Sequence, residues 1–327
     1  MKAVVYTAAG GPEVVEIQDR PLHEPGVSQI RVRVHASALN RADISQRLGR
    51  YPAPPGYPAD IPGLEFAGEV DAIGAAVTMW KHGDRVMGIT GGGGHAEFLC
   101  THEREVMAVP ANLSFDEAAA IPEAFLTAYD AIFSRLDVRS GETLLIHAVG
   151  SGVGTAALQL ASISGIRSIG TSRTQSKLDK AAAYGLQTGV ISSDESWPAR
   201  VLEATDGIGV QALLDLVGGS YLDGSIKVLA PRGRLVSVGL TAGSRAELDL
   251  GAVMRKRLTI VGTVLRARPI EEKITVTREF SSLMLSKFES GLLRPIVDRV
   301  IPFAEIRSAH AAMERNESFG KIVLRWS

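Results

Sequence analysis

The sequence predicts an α/β chain of two domains, a compact β-rich domain and a doubly wound parallel-sheet domain. Three observations lead there. Residues 142–173 read as strand, glycine turn, helix and strand; strand and helix signals keep alternating through residue 265; and residues 1–120 carry short alternating apolar runs broken by Gly, Pro and Asp. At 327 residues the chain has room for two separate cores.

Residues 144–148 are an unbroken apolar run, too short for a helix and suited to a buried parallel strand. Gly150, Gly152 and Gly154 follow, separated only by Ser151 and Val153, and TAALQLAS then resumes with helix formers at helical spacing. That order aims backbone N–H groups and the positive end of a helix dipole at a pyrophosphate. RSIGT, at 167–171, begins the second strand of a βαβ unit, at whose end an NAD-selective site places Asp or Glu. Here the chain has Thr171, Ser172 and Arg173, with Lys177 a helical turn further on. Hydroxyls and cations suit a 2′-phosphate, so the predicted cofactor is NADPH, held by Gly150, Ser151, Gly152, Val153, Gly154, Ser172, Arg173 and Lys177.

From the N-terminus, KAVVY, QIRVRVHAS, GEVDAIG, DRVMGI and AEFLC read as strands of the β-rich domain. Between them lies a long, proline-rich, loop-forming insert, NRADISQRLGRYPAPPGYPADIPGLEFAGEV, of a kind more often functional than idle. The tetraglycine 91–94 reads as a flexible turn, because HAEFLC after it alternates like a strand. Ser114 with Glu117 forms a capping box and Pro122 joins two helices, marking the passage into the second domain. Helices over 176–184, 197–205 and 221–229 then alternate with strands over 188–191, 212–218 and 234–240, followed by a strand over 257–265. A long helix over 270–290 and the strand KIVLRW close the chain, the last with the texture of the β-rich domain. The predicted boundaries are therefore 1–120 with 268–327 for the β-rich domain and 121–267 for the parallel-sheet domain.

Lys plus Arg number 35 against 36 Asp plus Glu, so no charge excess points to nucleic acid or a membrane surface, and small molecules are the expected partners. The one cysteine, Cys100, excludes an internal disulfide and any multi-cysteine zinc site, and reads as a small packed hydrophobe. No signal-peptide pattern or membrane-length apolar run is present, and a cytosolic location is the default. His147, inside the buried strand, reads as a satisfied core residue, and Asp43 as a cap or a partner of Arg41 or Arg47.

The strings SALNRADISQRLGRYPAPPG, AAAIPEAFLTAYDAIF, LIHAVGSGVGTAALQLA, LLDLVGGSY and FGKIVL resemble the zinc-independent, zeta-crystallin-like quinone oxidoreductases of the medium-chain dehydrogenase/reductases. They closely resemble the branch of these that contains the apoptosis-induced human enzyme, and the resemblance covers essentially the whole chain. It implies a GroES-like substrate domain, a Rossmann domain, a cleft between them, NADPH, and a homodimer or homotetramer. In the zinc-dependent alcohol dehydrogenases cysteine, histidine and cysteine stand in the places of Asn40, Leu64 and Glu123, so no metal site is expected. Without a metal, alcohol oxidation lacks its Lewis acid, whereas a quinone or conjugated enone accepts hydride unaided. Asn40 is then the candidate donor to the substrate oxygen and Tyr51 the ring and hydroxyl that meet a planar acceptor, with Tyr57 a weaker candidate. By the same resemblance Thr127, Gly239, Leu240, Val264 and Leu265 line the nicotinamide, and Ser192 stands where relatives often carry tyrosine or histidine near the adenosine phosphate. The predicted activity is an NADPH-dependent quinone reductase. The alternatives are a 2-alkenal or enone reductase, and a non-catalytic NADPH-binding protein of crystallin-like or RNA-binding kind.

Overall fold

The computed structural model describes residues 1–326. The chain divides into two compact units, residues 1–126 with 265–326 (unit 1) and 127–264 (unit 2). In chain order the elements are β1 (Lys2–Tyr6), β2 (Val15–Asp19), β3 (Gln29–Ala38), α1 (Arg41–Arg47), β4 (Glu65–Ile73), β5 (Arg85–Ile89), β6 (Phe98–His102), β7 (Val106–Ala108), α2 (Phe115–Ala118) and α3 (Pro122–Tyr129). Next come β8 (Thr143–Ile146), α4 (Gly152–Ile163), β9 (Arg167–Ser172), α5 (Gln175–Ala182), β10 (Thr188–Ile191), α6 (Trp197–Glu203), β11 (Val210–Asp215), α7 (Tyr221–Val228) and β12 (Leu229–Ser237). The remainder are α8 (Leu250–Lys256), β13 (Thr259–Gly262), α9 (Ile270–Glu289), β14 (Val297–Pro302), α10 (Ile306–Glu314) and β15 (Lys321–Arg325).

Unit 1 is built on the sheet β14-β15-β3-β4-β5-β7, with β6 also paired to β3. The alternation in β3 sends Ile30, Val32 and Val34 into the core, while Arg31 turns out to bond Asp71 at 2.7 Å. β15 lies antiparallel to β3 and parallel to β14, so the C-terminal strand does return to complete the β-rich unit. Ser114 and Glu117 form the expected capping box, and α2 and α3 meet across the step before Pro122.

Unit 2 holds an all-parallel sheet in the order β10-β9-β8-β11-β12-β13, the doubly wound pattern whose direction reverses between β8 and β11. β8 is buried throughout, as its unbroken apolar run requires. It stops two residues short of the predicted end, because Ala148 takes φ 49° to open the glycine turn. β11 ends at Asp215, whose Oδ1 accepts from the amides of Val217 and Gly218 and bends the chain into a turn. Helix α8 lies where no helix was predicted: the Asp249 side chain caps its start and Arg257, at φ 54°, ends it, which shortens β13 to four residues. Among the described residues no helix is long and apolar enough to cross a membrane.

Candidate active site

In unit 2 residues 150–154, Ser172, Arg173, Gly239, Leu240 and Val264 lie at or just after the carboxyl ends of the parallel strands, where doubly wound sheets bind ligands. After β8 the chain turns at Ala148, and Ser151 caps α4, its Oγ accepting from the Gly154 amide at 3.1 Å. A Cβ on Gly154 would stand 2.6 Å from the Ala148 carbonyl oxygen and 2.7 Å from that of Val149, so only glycine lets helix and strand approach this closely. The amides of Gly152 and Val153, first in α4, have no acceptor among the described residues. A glycine-walled turn ending in a helix N-terminus with open amides fits the pyrophosphate of a dinucleotide.

Around this turn the polar residues divide into engaged and open ones. Thr171 is fully buried, its Oγ1 2.9 Å from His147 Nδ1 and 3.4 Å from the Ala148 amide. His147, also fully buried, meets Ser225 Oγ through Nε2 at 3.0 Å; burial pushes its pKa down to about 3, so it is the neutral core residue expected. Ser172 is buried and caps the Thr174 amide, whereas Arg173 is exposed with no ion pair among the described residues, and Lys177 lies partly buried in the first turn of α5. Ser192 is covered by Tyr221, whose hydroxyl donates to its carbonyl at 2.9 Å and its Oγ at 3.1 Å, a contact with no sequence signal. Gly239 and Leu240 follow β12 and Val264 follows β13, the last two half-exposed; Thr127 is buried in α3, and Leu265 is buried in unit 1.

In unit 1 the loop from Asn40 to Tyr57 carries the acceptor candidates. Asn40 precedes α1, and its amide is fully committed: Nδ2 donates to Glu65 Oε1 at 2.9 Å and to the Ala38 carbonyl at 3.2 Å, while Oδ1 accepts from Lys321 Nζ at 2.6 Å. Lys321 Nζ also stands 2.6 Å from Glu65 Oε1 and donates to the Leu39 carbonyl at 2.8 Å. The other Glu65 oxygen accepts from the Glu123 amide at 2.8 Å. Asp43, fully buried, accepts from the amides of Asn40 and Gly63 and stands 3.7 Å from His95 Nε2. It is a cap, as expected, but the ionisable side chain facing it is His95 rather than Arg41 or Arg47; Arg47 turns instead to the Gly10 carbonyl and Glu314.

Three groups near this network keep open capacity. The Tyr51 hydroxyl has no hydrogen-bond partner among the described residues, and burial followed by the Glu123 charge pushes its pKa up. The Glu123 carboxyl, itself without a partner among the described residues, is pushed up to about 8 by burial and then by the neighbouring Glu65 charge. Arg266, only 4% exposed, donates to the carbonyls of Gly91 (2.7 Å) and Tyr51 (3.1 Å) and to Gln46 Oε1 (2.6 Å), its guanidinium carbon 5.0 Å from the centre of the Tyr51 ring. Sequence reading passed over Arg266, Glu65 and Lys321. Lysine in FGKIVL and glutamate in PGLEFAG were visible, yet nothing local linked them to Asn40.

The tetraglycine is not the flexible turn predicted. Gly91, Gly92, Gly93 and Gly94 are buried, and a Cβ on Gly91 would lie 2.4 Å from the Tyr57 ring, so glycine here makes room for that ring. Tyr57 is tied down by Lys273 Nζ at 2.6 Å, itself 2.6 Å from Glu105. Cys100 is partly exposed, with Sγ 3.6 Å from the His23 carbonyl oxygen. Among the described residues no three His, Cys, Asp or Glu side chains form a metal-ligating group.

One β-rich GroES-like unit and one Rossmann sheet with a glycine turn at a helix N-terminus are the two domains of the medium-chain dehydrogenase/reductases. Residues 26–111 match the alcohol dehydrogenase GroES-like domain and residues 152–282 the zinc-binding dehydrogenase family. The chain is 35% identical to a quinone oxidoreductase of Pseudomonas aeruginosa over 99% of both chains, and it belongs to the quinone oxidoreductase family. It is an oxidoreductase. Among solved structures it is similar to an NAD-dependent alcohol dehydrogenase (35% identity, TM-score 0.88, 100% of both chains). It is also similar to a mycobacterial protein in complex with NADPH (28% identity, TM-score 0.90, 99% of this chain and 100% of that one).

Proposed function

We propose that the protein is an NADPH-dependent, metal-free quinone reductase of the cytosol. In unit 2 the amides of Gly152 and Val153 take the pyrophosphate, and Ser172, Arg173 and Lys177 take the 2′-phosphate. Thr127, Gly239, Leu240, Val264 and Leu265 stay our candidates for lining the nicotinamide. When bound, the reduced nicotinamide supplies a hydride. What remains for the side chains is to seat the acceptor, bear its charge and return a proton.

Tyr51 seats a planar acceptor with its ring and unengaged hydroxyl. Asn40 acts through the loop it fixes, since both of its amide hydrogens already have acceptors. Glu123 holds its proton at neutral pH, being pushed up to about 8, and can hand it to the reduced acceptor. The observation that carries this reading is the open Tyr51 hydroxyl and Glu123 carboxyl in a neighbourhood whose only former-ligand side chains are an amide, an alkyl group and one acid. Such a set supports hydride transfer to an acceptor that is already electrophilic, and lacks the Lewis acid an alkoxide needs.

The acid at Glu123 also favours one second reading, the reduction of α,β-unsaturated carbonyls, which needs a proton at carbon after hydride arrives. Steady-state rates with naphthoquinones and with 2-alkenals, each with NADPH and NADH, separate the two; absence of quinone turnover overturns the first. Replacing Arg173 and Lys177 with Ala is expected to raise KM for NADPH far more than for NADH, and equal changes refute the phosphate assignment. A homodimer is supported by β13, an open sheet edge with Ile260 exposed and Met254 of α8 at 76% exposure nearby in sequence, and a monomer by sedimentation would overturn it.

A further inference from the structure

We propose that Arg266 bears the negative charge that develops on the acceptor oxygen, which makes it a catalytic residue and gives unit 1 a built site for oxyanions such as phenolates, hydroquinone anions and enolates. The inference rests on the reductase reading for its catalytic part and on geometry alone for its anion-binding part.

A guanidinium has five N–H donors and cannot shed its charge in a protein. Arg266 engages one donor from each nitrogen, on Gly91 O, Tyr51 O and Gln46 Oε1, and two remain. None of the three acceptors is charged, and among the described residues no carboxylate lies within ion-pair distance of Arg266. The acids within electrostatic reach do not fill that role. Asp43 is bonded to the amides of Asn40 and Gly63 beside His95, and Glu123 keeps its proton at neutral pH.

Clamping three acceptors, two on loops and one on α1, requires donors but no charge. A neutral amide or a bound water would serve that purpose without burying an uncompensated cation, which is among the least favourable arrangements a fold can keep. The guanidinium therefore lies ready for an anion that is absent from the resting chain. Its position supports this, because it stacks on the ring of Tyr51, whose hydroxyl is open, and Glu123 contributes to its electrostatic surroundings. Hydride addition delivers two electrons and one proton to the acceptor and leaves an oxyanion, which Arg266 stabilises. The proton then passes from the Glu123 carboxyl to that oxyanion, or to the α-carbon of an enolate. Glu123 becomes a carboxylate within the electrostatic reach of Arg266 and is reprotonated from water.

The test uses 4-nitrophenol as probe with the cofactor-free protein, reading the ionisation of the bound probe by absorbance. The wild type is expected to bind the phenolate at least about tenfold more tightly than the phenol, lowering the probe's apparent pKa by about one unit. Arg266→Lys, which keeps the charge, should retain part of that preference, and Arg266→Gln, which keeps only a donor, should lose it. If both variants weaken phenol and phenolate alike, Arg266 is a clamp and the proposal is overturned. It is equally overturned if the wild type shows no preference, a result that needs no variant to fold. Phenolate preference without quinone or enone turnover would leave the anion site standing and defeat the reductase reading; turnover without the preference would do the reverse.

Discussion

Lys321 is the residue whose removal tests the unit 1 network most sharply. Its side chain is 5% exposed, and the ammonium stands between Glu65 Oε1 at 2.6 Å, Asn40 Oδ1 at 2.6 Å and the Leu39 carbonyl at 2.8 Å. In Lys321→Met the stem volume is largely kept, while Glu65, with no exposed surface, retains only neutral donors from Asn40 and the Glu123 amide. A lost neutral hydrogen bond is worth about 1 kcal/mol, but leaving one member of a buried ion pair behind costs about 3–5 kcal/mol, and the second effect dominates here. Peptide-resolved hydrogen exchange reads unit 1 directly through β3 and β15. About 4 kcal/mol corresponds to a loss of protection of roughly a thousandfold in those strands. Glu65→Gln in the same chain removes the stranded charge and is expected to restore at least half of the loss. A single-variant change below about tenfold, or no recovery in the double variant, would refute the account of a charge-balanced cluster positioning Asn40.

Three further outcomes follow from the same geometry. Glu123→Gln mimics the protonated acid: the folded chain holds that proton up to about 8 while the unfolded chain releases it near the ordinary carboxylate value, so wild-type stability falls as pH rises between the two. The variant should match wild type below about pH 5 and be increasingly more stable up to about pH 8, as read from urea midpoints, and a pH-independent difference would contradict the shift. Gly154→Ala places a methyl 2.6 Å from the Ala148 carbonyl oxygen, which should lower stability by about 1–3 kcal/mol and weaken NADPH binding at least about tenfold in a fluorescence titration; unchanged binding would argue against the turn as cofactor cradle. Tyr57→Phe removes the acceptor 2.6 Å from Lys273 Nζ and should lower stability by about 1.5–3 kcal/mol with kcat nearly unchanged, while a large loss of kcat at full stability would move Tyr57 from anchor to catalyst.

The two halves of the candidate site differ in how far the sequence reveals them, and the reason is the distance over which each is specified. The dinucleotide turn is local: an apolar run, three glycines and a helix-forming segment lie within residues 144–162, and each observed contact, from the Ser151 cap to the Gly154 approach, joins residues a few positions apart. The acceptor site is assembled by topology. Lys321 reaches Asn40 across 281 positions because β15 pairs with β3, and Arg266 reaches Gln46 across 220, after the chain has left unit 2. Asn40 could be singled out by the ligand it replaces, but whether its amide was open depended on a lysine in the last strand. Ser192 poses the same problem on a shorter scale. The absence of an aromatic residue there is legible, and the Tyr221 hydroxyl that covers it arrives from α7, 29 positions on, with no local pattern to announce it. Residue type at a single position indicates which chemistry is available, and it is the partner supplied by a distant strand that decides whether that chemistry is free to act. By that criterion Asn40 is occupied, whereas Arg266, Tyr51 and Glu123 are the groups with capacity left for a substrate.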